Sequence, residues 1–222
     1  KALPEQALKA AAERRGEMTP LFLDEIEKFL NASPDDKALP SPLFFIFHLL
    51  GDWREKSAYR PLTRLLRHSG AAADAQLGDA ITISTHRIMA AVYDGDPQPL
   101  FDIALDAKAD EFIRSRIIET IAMLTLWGEL DKDIAARFLK DGFSNIEPRE
   151  ESFVWNGWQS AIAMLGLSEM RGLVRQAFDQ GIISEEWLDY DDFEEDLQSA
   201  LKRDACGESS YDPEYSLFGA TI

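Results

Sequence analysis

Asp94-Gly95-Asp96, with Asp79 upstream, sets carboxylates near one another in the chain. General acid–base or metal chemistry needs such groups held a few ångströms apart. Arg87 would add a cation, so Asp79, Arg87, Asp94 and Asp96 define a hydrolase- or lyase-like pocket as one functional alternative. The same residues have a plainer use. Asp-Gly is turn chemistry, and Asp96 directly before Pro97-Gln98 is placed to satisfy the free amides at a helix start. The turn reading is the better one on residue type.

Other constellations fail on spacing. Asp189-Tyr190-Asp191-Asp192 with Glu194-Glu195-Asp196 resembles a cation loop, but an EF-hand needs glycine at its sixth position and glutamate at its twelfth. Those positions hold Glu194 and Ala200. The three histidines, His48, His68 and His86, fall on separate predicted helices and none precedes a glutamate, so the His-Glu pairs of helical-repeat di-iron hydroxylases are missing. No nucleophile elbow, phosphate loop or dinucleotide glycine pattern occurs. Cys206 sits among carboxylates that disfavour its thiolate, and a lone cysteine builds neither a disulfide nor a cysteine zinc site. No catalytic residue, metal or cofactor is expected.

The chain of 222 residues has a formal net charge of −17 and is 45% hydrophobic, enough for a sizeable core. Such a surface repels nucleic-acid phosphates and anionic lipid. Twelve acidic residues against Lys202 and Arg203, between Ser184 and Glu214, carry ten of the seventeen net negative charges. That segment reads as a solvated face, with a cation- or basic-partner-binding sensor as a further alternative. The longest apolar run, Leu43 to Phe47, is too short to span a bilayer, and no signal peptide is visible. The lone cysteine fits a reducing compartment, so the cytoplasm is expected.

The elements that must position these residues all read as helices. Pro4 to Arg15 is Ala-rich and Gly16 is expected to end it; Thr19-Pro20 then opens a second helix carrying Leu23, Ile26 and Leu30. Asn31 to Pro42, with three prolines, and Gly70 to Asp79, small and polar, read as loops. Leu43 to Leu50 is apolar almost all round, Tyr59 opens a helix with Leu62, Leu65 and Leu66 inward, and Ile81 to Tyr93 reads as a helix despite early β-branched residues. Pro99 to Leu105 makes a short helix. After a break at Ala109-Asp110, Ile113, Ile117, Ile121 and Leu124 form the stripe of a long one. Asp131 caps the next, Glu147-Pro148 marks a loop, and Trp155, Trp158, Ile162 and Leu165 give a strong amphipathic helix. Ser168 leads a helix that ends at Gly181, and Asp192 to Leu201 is a last, acidic helix.

The second helices of successive pairs begin a loose repeat at Pro61, Pro99, Ile134 and Gly172, with intervals of 38, 35 and 38 residues. This lies near the period of HEAT and armadillo units. A helix pair has too little apolar surface to stand alone, so stacking is expected.

Asp110-Glu111-x-x-Arg114 leading into the long helix resembles the HEAT-like repeat of phycobilisome-lyase-type proteins. In those repeats an acidic residue and an arginine tie adjacent pairs together. Ala7-Leu8 through Arg15, Gly78-Asp79 with Thr82 and Arg87-Ile88, Asp94-Gly95-Asp96, Trp155-Asn156 and Leu188-x-x-Asp191-Asp192-x-Glu194 resemble a bacterial family of uncharacterised proteins, domain of unknown function 1186. The resemblance covers roughly residues 3 to 201. Members of that family often carry a cysteine-rich C-terminal metal motif; only Cys206 stands in that region here, so no zinc role is carried over. The resemblance lends no activity.

The sequence therefore supports an all-α fold, a right-handed α–α superhelix (HEAT-like solenoid) of about five helix pairs. Residues 3–203 would form one helical-repeat domain and 204–222 a C-terminal tail. The expected function is a non-catalytic scaffold for a protein or peptide, with no nucleic acid or membrane partner. Its groove is expected to involve Asp79, Arg87, Asp94, Asp96, Glu111, Arg114 and Trp155, of which Arg87, Glu111 and Arg114 have inter-repeat pairing as their plainer role. Most tryptophans, at their helical spacings, belong to the core.

Overall fold

Helix-forming residues separated by polar corners account for every regular element in the described residues of the computed structural model, which are 4–37, 40–67, 71–186 and 188–206. The helices are α1 (Glu5–Glu13), α2 (Arg15–Asn31), the single turn α3 (Pro34–Lys37), α4 (Leu43–Asp52), α5 (Tyr59–Arg67), α6 (Ala71–Leu77), α7 (Ala80–Ile83) and α8 (Thr85–Ala91). They continue with α9 (Gln98–Leu105), α10 (Glu111–Leu126), α11 (Lys132–Asn145), α12 (Val154–Met164), α13 (Arg171–Asp179) and α14 (Tyr190–Cys206). Short 3-10 turns precede α5 and α13, at Lys56–Ala58 and Ser168–Met170.

Two rows organise these helices. In the first, α4 packs on α8, α8 on α10, α10 on α12 and α12 on α14. In the second, α2 packs on α5, α5 on α9 and α9 on α11. Each neighbour in a row comes from the next part of the chain, so one hydrophobic core runs from Ala11 to Leu197. The all-α expectation holds.

The rows meet around α10. It touches α7, α8 and α12 in its own row and α9 and α11 in the other. From Ile113 to Thr125 only Arg116 escapes full burial, so this helix is enclosed on every side. Close approach in the first row depends on glycine. A Cβ at Gly157 of α12 would lie 2.5 Å from the Ser115 carbonyl oxygen of α10, and one at Gly51 of α4 would lie 2.8 Å from Ile88 Cγ1 of α8.

Side chains and left-handed residues close the helix ends. Asp110 accepts the Phe112 and Ile113 amides at 2.9 and 3.1 Å, and Asp131 caps α11 in the same way. Four helices end in the same paired hydrogen-bond pattern. After α10, Gly128 N–H donates to Thr125 O and Glu129 N–H to Leu124 O. Gly166 after α12 and Gly181 after α13 repeat the pattern, but after α4 the left-handed position is Arg54, at φ 51°.

Four boundaries differ from the sequence reading, the first being the Asn31–Pro42 loop, which contains the single helical turn α3. Gly16 does not end a helix: α1 stops at Glu13, and α2 runs from Arg15 through Gly16 and Pro20. One proline early in a long helix removes a single hydrogen bond, and burial of Phe22 and Ile26 on the same helix offsets it. The Gly70–Asp79 run contains α6, because its alanines are strong helix formers and Ala73 and Leu77 find the core. The last helix starts at Tyr190 and extends to Cys206. The Ile81–Tyr93 segment is helical as expected, with a break at Ser84 between α7 and α8. The tail beyond Cys206, His68 and the side chain of Cys206 lie outside the described residues.

Candidate functional site

Asp94 and Asp96 come together, with Arg60 of α5 as their partner. The Arg60 Nε donates to Asp94 Oδ2 at 2.7 Å and its terminal nitrogen to Asp96 Oδ2 at 2.8 Å. The second oxygens accept backbone amides: Asp96 N–H to Asp94 Oδ1 and Gln98 N–H to Asp96 Oδ1, each at 3.0 Å. The Gln98 amide and Arg60 hold the Asp96 carboxyl below the usual carboxylate range. All four carboxylate oxygens are thus engaged in shaping the corner before α9.

Arg60 is the first of a row. Arg64 of α5 reaches Glu27 of α2, and Arg67 donates to Asp106 at 2.8 Å beyond the end of α9. Spacings of four and three put these arginines on one face of α5, where they join neighbours on both sides. The same spacing was present in the sequence as a signal for this ladder; its acidic partners, more than thirty residues away, were not.

The remaining expected groove residues scatter. Asp79 is exposed at the start of α7, and Arg87 is half-buried on α8. Glu111 opens α10 and accepts Ser152 Oγ at 2.7 Å and Phe153 N–H at 2.6 Å, fastening α10 to the start of α12. Arg114 is 1% exposed and makes no ion pair among the described residues; its Nε donates to the Ala104 carbonyl at 3.0 Å. A cation at the C-terminal turn of α9 complements the helix dipole. Burial pushes its guanidinium pKa down, against the pull of Asp106, Glu111 and Glu147. Trp155 is fully buried, its Nε1 donating to Pro148 O at 2.9 Å, so it belongs to the core and lines no surface groove.

Metal chemistry finds little material. Among the described residues no group of three His, Cys, Asp or Glu side chains is placed to hold an ion. The Asp189 cluster caps α14 instead: Asp189 Oδ1 accepts the Asp191 and Asp192 amides at 2.8 and 2.9 Å, and Asp192 Oδ2 accepts the Asp189 amide at 2.9 Å. His48 hydrogen-bonds Phe44 O at 2.7 Å and Ser84 Oγ at 3.2 Å, and burial lowers its pKa. No described helix is long and apolar enough to cross a membrane.

An apolar recess lies at the opposite end of the stack from α14, between α1, α2 and α4. Leu8 and Ala11 on α1, Met18 and Phe22 on α2, and Phe45 and Leu49 on α4 line it, with a cavity volume of about 270 Å³. Nearby Phe44 is 37% exposed. The all-round apolar reading of α4 has its explanation here: Leu43, Ile46, Phe47 and Leu50 face the core, while Phe45 and Leu49 face this groove. None of these residues was singled out for function, because an apolar position on a terminal helix looks the same whether the chain covers it or leaves it open.

The family model described as "Protein of unknown function (DUF1186)" matches residues 1–222. The chain belongs to this family. It is similar to an uncharacterised protein of Chlamydia muridarum (strain MoPn / Nigg), 23% identical over 194 residues, covering 86% of this chain and 78% of the relative. An uncharacterised protein of Chlamydia trachomatis serovar D is also 23% identical, over 207 residues, covering 90% of this chain and 82% of that one. No solved structure matches.

Proposed function

We propose that this chain is a non-catalytic protein-binding scaffold, a right-handed HEAT-like solenoid whose terminal groove between α1, α2 and α4 receives a segment of a partner protein. The observation that carries this reading is the lining: an open recess of apolar side chains on a chain of net charge −17. A contiguous exposed apolar surface on an otherwise charged protein marks a place for association. The fitting occupant is an amphipathic helix with an apolar row for the groove.

The carboxylates at Asp94 and Asp96 support the same reading by being engaged with Arg60 and backbone amides. A general acid or base needs an oxygen free for substrate.

Affinity capture from the native host, read by mass spectrometry, tests the proposal when wild type is compared with Leu8→Glu. The wild-type chain is expected to retain a protein with an amphipathic helical segment, and the variant to lose it while its thermal unfolding stays within a few degrees of wild type. Equal capture by both would overturn the groove as the docking surface.

A further inference from the structure

A different recess lies where the corners after α4, α8 and α10 converge. Arg54 and Lys56 come from the first corner, Tyr93 from the second, and Trp127 and Glu129 from the third; the cavity volume is about 360 Å³. That is within the range of small-molecule pockets, roughly 300–1,000 Å³.

Three features of this recess point to a ligand. Tyr93 is only 3% exposed, yet its hydroxyl has no hydrogen-bond partner. A buried phenol ordinarily finds an acceptor. Arg54 and Lys56 are exposed cations that form no ion pair among the described residues, whereas Arg60, Arg64 and Arg67 on the adjoining α5 are all paired. Both border one recess, in a chain with 40 acidic residues against 23 basic.

The third feature is backbone strain. Arg54 has φ 51°, and the equivalent corner positions after α10, α12 and α13 carry Gly128, Gly166 and Gly181. Glycine adopts that conformation without steric cost, and an L side chain does not. Arginine is held at the one strained corner whose side chain borders a cavity, and strain of this kind collects at binding sites.

We propose that this recess binds a small monoanionic aromatic carboxylate. Arg54 and Lys56 take the carboxylate, a guanidinium being suited to grip both oxygens. The half-buried indole of Trp127 gives the ring a flat apolar face. The Tyr93 hydroxyl donates to an oxygen of the ligand. Burial, with Asp96, Asp94 and Glu129 nearby, pushes the Tyr93 pKa up to about 12, which keeps that hydroxyl a donor at neutral pH. The same three carboxylates set a negative field that disfavours a second charge, so phosphate esters and dicarboxylates are excluded by like-charge repulsion.

Calorimetric titration of the full chain with benzoate, 4-hydroxybenzoate and indole-3-acetate tests this, with benzamide and phenyl phosphate as neutral and dianionic counterparts. At least one carboxylate is expected to bind about tenfold or more tightly than both counterparts, the equivalent of about 1.4 kcal/mol. Arg54→Gly is the decisive variant, because glycine relieves the strained corner while removing the guanidinium. Its unliganded melting temperature is expected to rise as its carboxylate affinity falls by about tenfold. Trp127→Ala, with an unchanged circular dichroism spectrum, is expected to weaken binding as well. Carboxylates that bind no better than benzamide, or an affinity untouched by Arg54→Gly, would overturn the proposal.

Discussion

At the scale of single residues, the Asp94-Gly95-Asp96 corner shows what a sequence can and cannot carry. Asp-Gly announces a turn, and Asp96 before Pro97-Gln98 announces an amide acceptor, so that half of the arrangement was legible. The Arg60 that completes it stands 34 residues from Asp94, and only the packing of α5 on α9 brings them together. Arg114 misled for a related reason: a charged residue on a helix suggests an outward face, but α10 has neighbours all round and its arginine turns inward to a carbonyl. The ladder also has a pH signature. Asp96 is held below its usual pKa by the Gln98 amide and Arg60, and Asp106 by Arg67 and the Lys108 amide. A carboxylate with a depressed folded pKa stabilises the protein above its unfolded value, about 4, and that contribution is lost as pH falls through the folded pKa. Both groups are partly exposed, 46% and 22% at the side chain, so solvent screening keeps each contribution below about 1 kcal/mol. Asp96→Asn with Asp106→Asn is therefore expected to lower the urea midpoint at pH 7 and to flatten its decline between pH 5 and pH 3. Parallel midpoint curves for variant and wild type would contradict this.

Helices supply the next scale, and there the reading depended on how each segment meets its neighbours. The α12 stripe of Trp155, Trp158 and Ile162 was legible because it is buried at helical spacing. In α14 the row of Phe193 and Leu197 packs against α12 while most of the acidic side chains face outward, so its charge looked like a solvated face and is one. The α6 helix was missed because a run of alanine, aspartate and glutamine has no periodic contrast, though its helix propensity was high. What no local pattern disclosed is how closely α10 and α12 cross. Gly157→Ala would place a methyl 2.5 Å from the Ser115 carbonyl oxygen, and a backbone atom does not move aside cheaply. This variant is expected to lose about 1–3 kcal/mol or more in chemical denaturation. Gly16→Ala in α2 is the matched control: nothing lies within 4 Å of its added methyl, so it is expected to gain about 0.5–1 kcal/mol. Equal effects at the two positions would show that α10 and α12 do not meet as described.

For the whole molecule, two rows of helices in chain order give a core shared by every neighbour and leave the two ends of the stack without one. At the α14 end the exposed residues are mostly polar or charged; at the other end, Leu8, Phe45 and Leu49 remain in an open apolar groove. The repeat interval read from the sequence, near forty residues, is the length that two helices and two corners require. It did not anticipate which face would be left for a partner. A photo-crosslinking side chain installed at Phe45 in the native host tests that directly, with Leu105, 38% exposed on α9, as the control position. A protein adduct at position 45 and none at 105 is the predicted result; no adduct at 45, or the same adducts at both positions, would contradict the account.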